Sequence, residues 1–225
     1  MIDSFYIGLY WGSKAETLTQ VTNKVLQTLQ RLAKTDEQFL NWYERGMSRK
    51  QALEKKVSLD ADTIETICRK AVKKGELDEK GYAKNGVVFG LWTGHKNDEE
   101  SSVSFIAGDV FTIPNLCNNC VLSIPFEGAA RERLLQPEKA KEIIASLVEI
   151  WEPDYAVLSS HSLRDKLNFG NSIGWITYHK SIKKLPNISN QVVYKKANNG
   201  HWFYIKESNY NETLSNELLP MKAII

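Results

Sequence analysis

Several stretches carry side chains whose types and spacing could do chemistry. Phe5-Tyr6-Ile7-Gly8-Leu9-Tyr10-Trp11-Gly12 is a strand-like run that passes into Ser13-Lys14 and a long periodic segment, so glycines, a lysine and a helix start follow in the order of a phosphate-binding loop. The spacing does not fit. A P-loop needs about four residues between its glycines and then lysine followed by Ser or Thr, whereas three residues separate Gly8 from Gly12 and Ser13 precedes Lys14. Glycines that let a strand and a helix pack closely account for the same residues. Cys117-Asn118-Asn119-Cys120 has the gap of zinc knuckles and redox pairs, in which one turn brings two sulfurs to one point. Further ligands are missing: Cys68 falls on the inner face of an expected helix, and His95, His161, His179 and His201 are each isolated along the chain. Two small apolar residues bracketing a hairpin turn explain the pair. Ser159-Ser160-His161 sets hydroxyls beside an imidazole, but chain neighbours do not hold triad geometry and no glycine-flanked nucleophile elbow is present. Glu149, Glu152 and Asp154 lie at a helix end, where solvated carboxylates are the rule. No catalytic residue, metal ligand or cofactor is assigned. Asp98-Glu99-Glu100 is a tight acidic run in a polar loop, and loops display binding groups, though a merely solvated loop has the same composition.

The elements that must position these residues read as follows. Ser13 and Glu16 form a Ser-x-x-Glu capping box, and Leu18, Val21, Val25, Leu29 and Leu32 then mark one face of a long amphipathic helix. Thr35-Asp36-Glu37-Gln38 offers a second box ahead of a short helix through Phe39, Leu40, Trp42 and Tyr43, ended by Gly46, and Ser48-Arg49-Lys50-Gln51 a third, with Ala52, Leu53 and Val57 turned inward. From Asp60 and Asp62 a helix carries Ile64, Ile67, Cys68, Ala71 and Val72 to Lys73-Lys74-Gly75, with charges matched to its dipole. Residues 13–75 are therefore helix-rich. Residues 87–126 are strand-rich, with runs at Val87 to Trp92, Val103 to Thr112 and Cys120 to Pro125, the last after a connection at Asn118-Asn119. Phe89-Gly90-Leu91-Trp92 repeats the character of the first strand and belongs to the same sheet. Pro137 opens a helix whose apolar stripe runs from Ala140 to Trp151 and stops before Pro153. Residues 155–206 are again strand-rich: Tyr155 to Ser159, Ile173 to Tyr178, and Val192 to Tyr194 with Trp202 to Ile205 about the hairpin signal Asn198-Asn199-Gly200. Six tryptophans lie in or beside apolar runs, most of them expected in the core with one or two left as binding anchors.

A chain of 225 residues, 42% hydrophobic and 25% charged, can bury a substantial core as one domain spanning 1-225. Lys and Arg total 29 against 27 Asp and Glu, so no net field argues for nucleic acid or a membrane surface as partner, and any electrostatic recognition is local. No signal-peptide pattern or apolar run of membrane-spanning length occurs, and three cysteines agree with a reducing compartment, so a cytoplasmic location is expected.

Tyr10-Trp11-Gly12 before an amphipathic helix, Phe39 to Trp42, Ser48-Arg49 with Ala52-Leu53, Gly90-Leu91-Trp92, Trp151 with Pro153-Asp154, and Ile173-Gly174-Trp175-Ile176-Thr177-Tyr178 occur in an order that resembles immunity protein family 52 of bacterial polymorphic toxin systems. The likeness runs from Phe5 to Ile205 and leaves Cys117 and Cys120 outside its pattern. It implies an α+β domain, a mostly antiparallel twisted sheet with amphipathic helices packed on it. It also implies a non-enzymatic protein made beside a toxin that it binds and neutralises. Members of that family are associated with restriction-endonuclease-like DNase toxins, often delivered by type VI secretion. A nuclease is basic where it meets phosphates, so an inhibitor gains from local acidic groups. Asp98, Glu99 and Glu100 are the first toxin-binding candidates, and Asp60 and Asp62 the second. A small hydrolase or nucleotide-binding protein built around Gly8 to Lys14, and a scaffold with no toxin, remain as alternatives.

Overall fold

Strand β1 (Phe5–Trp11) is buried at every position. Phe5, Ile7, Leu9 and Trp11 alternate into the main core, while Tyr6 and Tyr10 join Tyr155 and Val157 in a smaller cluster behind the sheet. Antiparallel neighbours take up its backbone on both sides, β6 (Asn118–Ser123) and β7 (Tyr155–Ser160). The computed structural model describes residues 3–72, 76–96, 98–109, 117–167, 174–185, 188, 190–197 and 199–206. Within them β2 (Trp42–Glu44), β3 (Lys56–Val57), β4 (Asn85–Trp92), β5 (Ser102–Asp109), β8 (Ile176–His179), β9 (Val192–Ala197) and β10 (Gly200–Ile205) complete one ten-stranded sheet in the order β3-β2-β4-β5-β6-β1-β7-β8-β10-β9. Every neighbouring pair is antiparallel. One edge strand, β3, has two residues, and the other, β9, exposes Lys195 and Lys196.

The principal helices lie on one face. In α1 (Leu18–Thr35) the periodic positions Leu18, Val21, Val25, Leu29 and Leu32 are all buried, as their spacing requires. Helix α3 (Ala61–Ala71) buries Ile64, Ile67 and Cys68, and α5 (Pro137–Trp151) buries Ile143, Ile144, Leu147 and Trp151. Trp151 joins the layers. Its ring stacks on Trp11 of β1 at 5.1 Å, and its indole N–H donates to the Thr28 hydroxyl of α1 at 2.9 Å. Three shorter helices are α2 (Arg49–Leu53), α4 (Ala129–Leu134), whose Leu134 joins the main core, and α6 (His161–Leu167). Among the described residues no helix is long and apolar enough to cross a membrane.

An α+β fold, a single sheet holding both β1 and β4, and the helices at 61–71 and 137–151 agree with the sequence expectation. Local corrections have physical causes. The first helix is capped by Thr17, whose hydroxyl accepts from the Gln20 N–H, and not by Ser13. Glu16 is turned inward to Lys24 at 2.6 Å, which removes it from the expected box, and Thr-x-x-Gln supplies the same chemistry four residues later. The expected second helix shrinks to a 3-10 turn at Glu37–Phe39, and Trp42–Glu44 becomes β2, because Trp42 is fully buried against Phe39 and pairs with Val57 in the sheet. Asn118 and Asn119 lie inside β6 and are not a connection. Helices α4 and α6, too short to show periodicity, were not expected. Lys73 to Gly75, Val110 to Thr112, Ile173 and Asn198 lie outside the described residues.

Behind the sheet, the described residues cover one half more fully than the other. Leu163 of α6, with Ile182 and Ile188, packs over Val192, Tyr194, Phe203 and Ile205 of β9 and β10. His179 is buried in this half, its ring 4.9 Å from that of Tyr155, and its Nε2 has no hydrogen-bond partner among the described residues. Burial, with a smaller contribution from His201, lowers its pKa to about 4. Its folded value lies below the unfolded value of about 6.5, so protonation favours the unfolded chain. The expected outcome is stability that is complete above pH 6.5 and falls as pH drops from 6.5 toward 4. Urea melts across that window should show His179→Phe with a flatter dependence than the wild type.

Candidate functional site

The five acidic candidates fall at two places along the β2–β4 end of the sheet. Asp60 caps α3: its carboxylate accepts from the Thr63 N–H at 2.8 Å and the Thr63 hydroxyl at 3.0 Å, and these bonds hold its pKa below the usual aspartate value. Its charge is committed to the helix end. Asp62, in the first turn of α3, lines a shallow recess of about 260 Å³ with Glu44, Lys56 and Lys70. The Lys70 ammonium lies 3.9 Å from Glu44, so this recess mixes both signs.

Asp98, Glu99 and Glu100 form the tip of the β4–β5 connection, and Asp98 and Glu100 line a groove of about 450 Å³. Across it stand Arg45, Ser48 and Arg49 from the β2–α2 segment, while Trp92 and Phe126 supply apolar walls. Met47, at the crest of that segment, is 96% exposed. The acidic tip is fastened from beneath. Buried Gln38 donates through Nε2 to the Glu99 carbonyl at 2.9 Å, and the Thr93 hydroxyl accepts from the Ser101 N–H at 3.0 Å. The Asp36 carboxylate accepts from the Gln38 N–H at 2.9 Å and takes two hydrogen bonds from Arg133 of α4. Burial pushes the Asp36 carboxyl up, but the bonds from Arg133 and Gln38 and the charges of Arg133 and Lys139 outweigh it and hold the carboxyl below the usual range.

Two further ties close the other sides. Arg49 donates to the Gly94 carbonyl at 3.1 Å, and the Asp98 carbonyl accepts from the Glu127 N–H at 2.9 Å. Gly94 has φ 75° and its Cα faces the Tyr43 ring, where a Cβ would come within 2.5 Å, so only glycine fits this bend. Glu100 is half-buried, and its Oε2 has no hydrogen-bond partner among the described residues. A preorganised acidic rim therefore faces cationic and apolar groups across one groove.

The other motifs are absorbed by the scaffold. The Gly12 N–H is spent on the Asp154 carboxylate at 3.0 Å, and the Lys14 ammonium faces Glu152 at 3.4 Å and Glu16 at 3.6 Å, so carboxylates stand where a phosphate loop would offer its donors. Cys120 points into the core, where burial pushes its thiol pKa far up, whereas Cys117 precedes β6 and is half-exposed. Residues three apart in extended chain point to opposite faces, so the two thiols do not converge as a helical or turn pair would. Ser160 caps α6 by accepting from the Leu163 N–H at 3.2 Å, and His161 packs its ring 5.1 Å from Tyr6.

Arg45, Met47, Arg49 and Phe126 were not singled out as site residues. Each lies in a short irregular or terminal segment without periodicity, and their proximity arises only from strand order. Of the six tryptophans, four are buried and Trp92 and Trp175 are partly exposed, and Trp92 lines the groove. Gln38→Ala leaves buried polar partners unsatisfied, a cost of about 1–3 kcal/mol. We expect that loss in urea melts together with faster amide hydrogen exchange at Ser101, while exchange in α5 stays slow.

Comparison with curated proteins gives no match. The sequence profile of the family described as Immunity protein 52 matches residues 3–197, which takes in all of the sheet except β10, every helix and the acidic groove. The chain thus belongs to the Immunity protein 52 family, a family of toxin-neutralising immunity proteins.

Proposed function

We propose that this protein neutralises a restriction-endonuclease-like DNase toxin of a polymorphic toxin system, delivered between bacteria by type VI secretion, and does so in the cytoplasm without chemistry of its own. The observation that carries this reading is the acidic rim Asp98-Glu99-Glu100, held by Gln38 and by the Glu127 backbone beside the groove that Trp92 and Phe126 line. A nuclease presents basic groups where it meets phosphates, and a fixed negative rim steers such a surface into place. Steering alone gives speed, and tight inhibition also needs desolvated anchors inside the charged rim. Trp92 and Phe126 line the groove with Asp98 and Glu100 and are the apolar groups a partner would desolvate there, with exposed Met47 on the neighbouring segment. Asp62 supplies a second, weaker contact at the neighbouring recess, and Asp60 keeps its part in capping α3.

Co-expression with the toxin encoded beside this chain tests the proposal: survival and intact chromosomal DNA are expected only when this protein is present. Reversal of Asp98, Glu99 and Glu100 to Lys should slow association with a catalytically dead form of that toxin by about tenfold or more at low salt, and less at high salt, as screening dictates. Stopped-flow traces that are unchanged at low salt would remove the loop from the interface.

A further inference from the structure

The groove opens onto a sheet face that the described residues cover only in part. Its lining residues Trp92, Ser102 and Ser123 are the first row of that face, since Trp92 pairs with Ser102 and the Ser102 and Ser123 hydroxyls lie 2.9 Å apart on neighbouring strands. The pleat places Gly90, Ser104 and Val121 in the next row and Val88, Ile106 and Asn119 in the one beyond. All point away from α1, α3 and α5, because the intervening residues Leu91, Val103, Phe105 and Leu122 are the ones in the main core. Behind β9 and β10 the chain supplies its own cover from Leu163, Ile182 and Ile188. Behind β4, β5 and β6 the cover among the described residues is partial: the Arg45 guanidinium lies over Gly90 and Val121 packs against the cluster of Tyr6, Tyr10 and Tyr155, while Val88 is 52% exposed and Ile106 is half-buried.

A sheet face meant for water alternates apolar-in with polar-out and commonly carries charge. This one has no charged residue in its nine positions, and valine and isoleucine stand where lysine or glutamate would serve solubility. Asp98 and Glu100 stand at its margin in the groove, and the Arg45 guanidinium reaches over the middle row, 3.5 Å from where a Cβ of Gly90 would stand. The apolar side chains of Val88, Ile106 and Val121, beside the acidic residues of the groove, complement a protein surface with apolar groups at its centre and basic groups at its edge. This face does not suit nucleic acid or an anionic membrane, which would need a basic face.

We propose that the outer face of β4, β5 and β6, centred on Val88, Ile106 and Val121, is the apolar half of the toxin-binding surface, continuous with the groove and clasped by the partner together with the acidic rim. This rests on the immunity reading, and the experiment separates the two. The probe is the catalytically dead toxin from the neighbouring gene, titrated against the wild type, Val88→Arg, Val88→Ser and Val193→Arg, with thermal melts and sedimentation run on each variant. Val88 and Val193 are both exposed, so all three variants should fold; Val193 lies on edge strand β9, which has no part in the proposed surface, and serves as control. Supporting results are a loss of affinity of about 30-fold or more for Val88→Arg, a smaller loss for Val88→Ser, and a change under threefold for Val193→Arg. Retention of full affinity by Val88→Arg, while reversal of the acidic rim weakens binding, overturns the face and leaves the immunity reading standing. If Val88→Arg breaks a self-association of this chain and leaves toxin affinity unchanged, the face belongs to a second copy and the proposal is overturned. Failure of the wild type to bind or protect removes the immunity reading, and this proposal falls with it.

Discussion

Burying β1 on both faces is the constraint from which the rest follows. A central strand made of Phe5, Ile7, Leu9 and Trp11 on one side and Tyr6 and Tyr10 on the other cannot be left to water on either face, and its backbone needs partners along both edges. One side is solved by the helices. Trp151 lies on Trp11 and its N–H reaches Thr28, so α5, α1 and β1 are registered against one another by a single indole. The other side is solved by aromatic rings, with Tyr10 stacked on Tyr155 and Tyr155 against His179.

The asymmetry of the molecule has the same origin. Helices α1, α3 and α5 are spent on one layer, and α6 with the segment around Ile182 and Ile188 reaches only the β8–β10–β9 half of the other. What remains among the described residues is a partly exposed half-sheet flanked by the β2–α2 segment and the β4–β5 tip. The groove forms there because Trp92 ends β4 at the same level as Phe126 and the Arg45 to Arg49 segment, three pieces of chain that the strand order β2-β4-β5-β6 makes neighbours. The acidic tip gains its fixed shape from Gln38, a residue of a three-residue 3-10 turn, which links the tip through Asp36 to Arg133 of α4.

How much of this could be read from sequence divides by length scale. Long periodic elements were legible: the spacing of Leu18 to Leu32 gave α1, the stripe from Ala140 to Trp151 gave α5, and alternation gave β4 and β5. Short elements were not, because a three-residue strand such as Trp42–Glu44 or a six-residue helix such as Ala129–Leu134 contains less than two periods of anything. Capping chemistry was recognised, but Ser13 and Thr17 offer nearly the same signal, and the choice between them was made by Glu16 turning to Lys24, a contact across two turns of structure. The acidic run Asp98 to Glu100 could be picked out as a charged loop, whereas its companions Arg45, Met47 and Phe126 are brought to it only by tertiary structure and carry no local mark.

The ends of the sheet carry one more consequence. An extended ten-strand array with unsatisfied backbone groups at its borders would template lateral growth into fibrils. Here the outermost strand at one border is cut to the two residues Lys56 and Val57, and at the other the exposed Lys195 and Lys196 project to opposite faces of β9, so a second sheet that docked there would meet a short strand at one end and ammonium groups at the other. The outermost strands thus work against the recruitment of further copies by edge pairing.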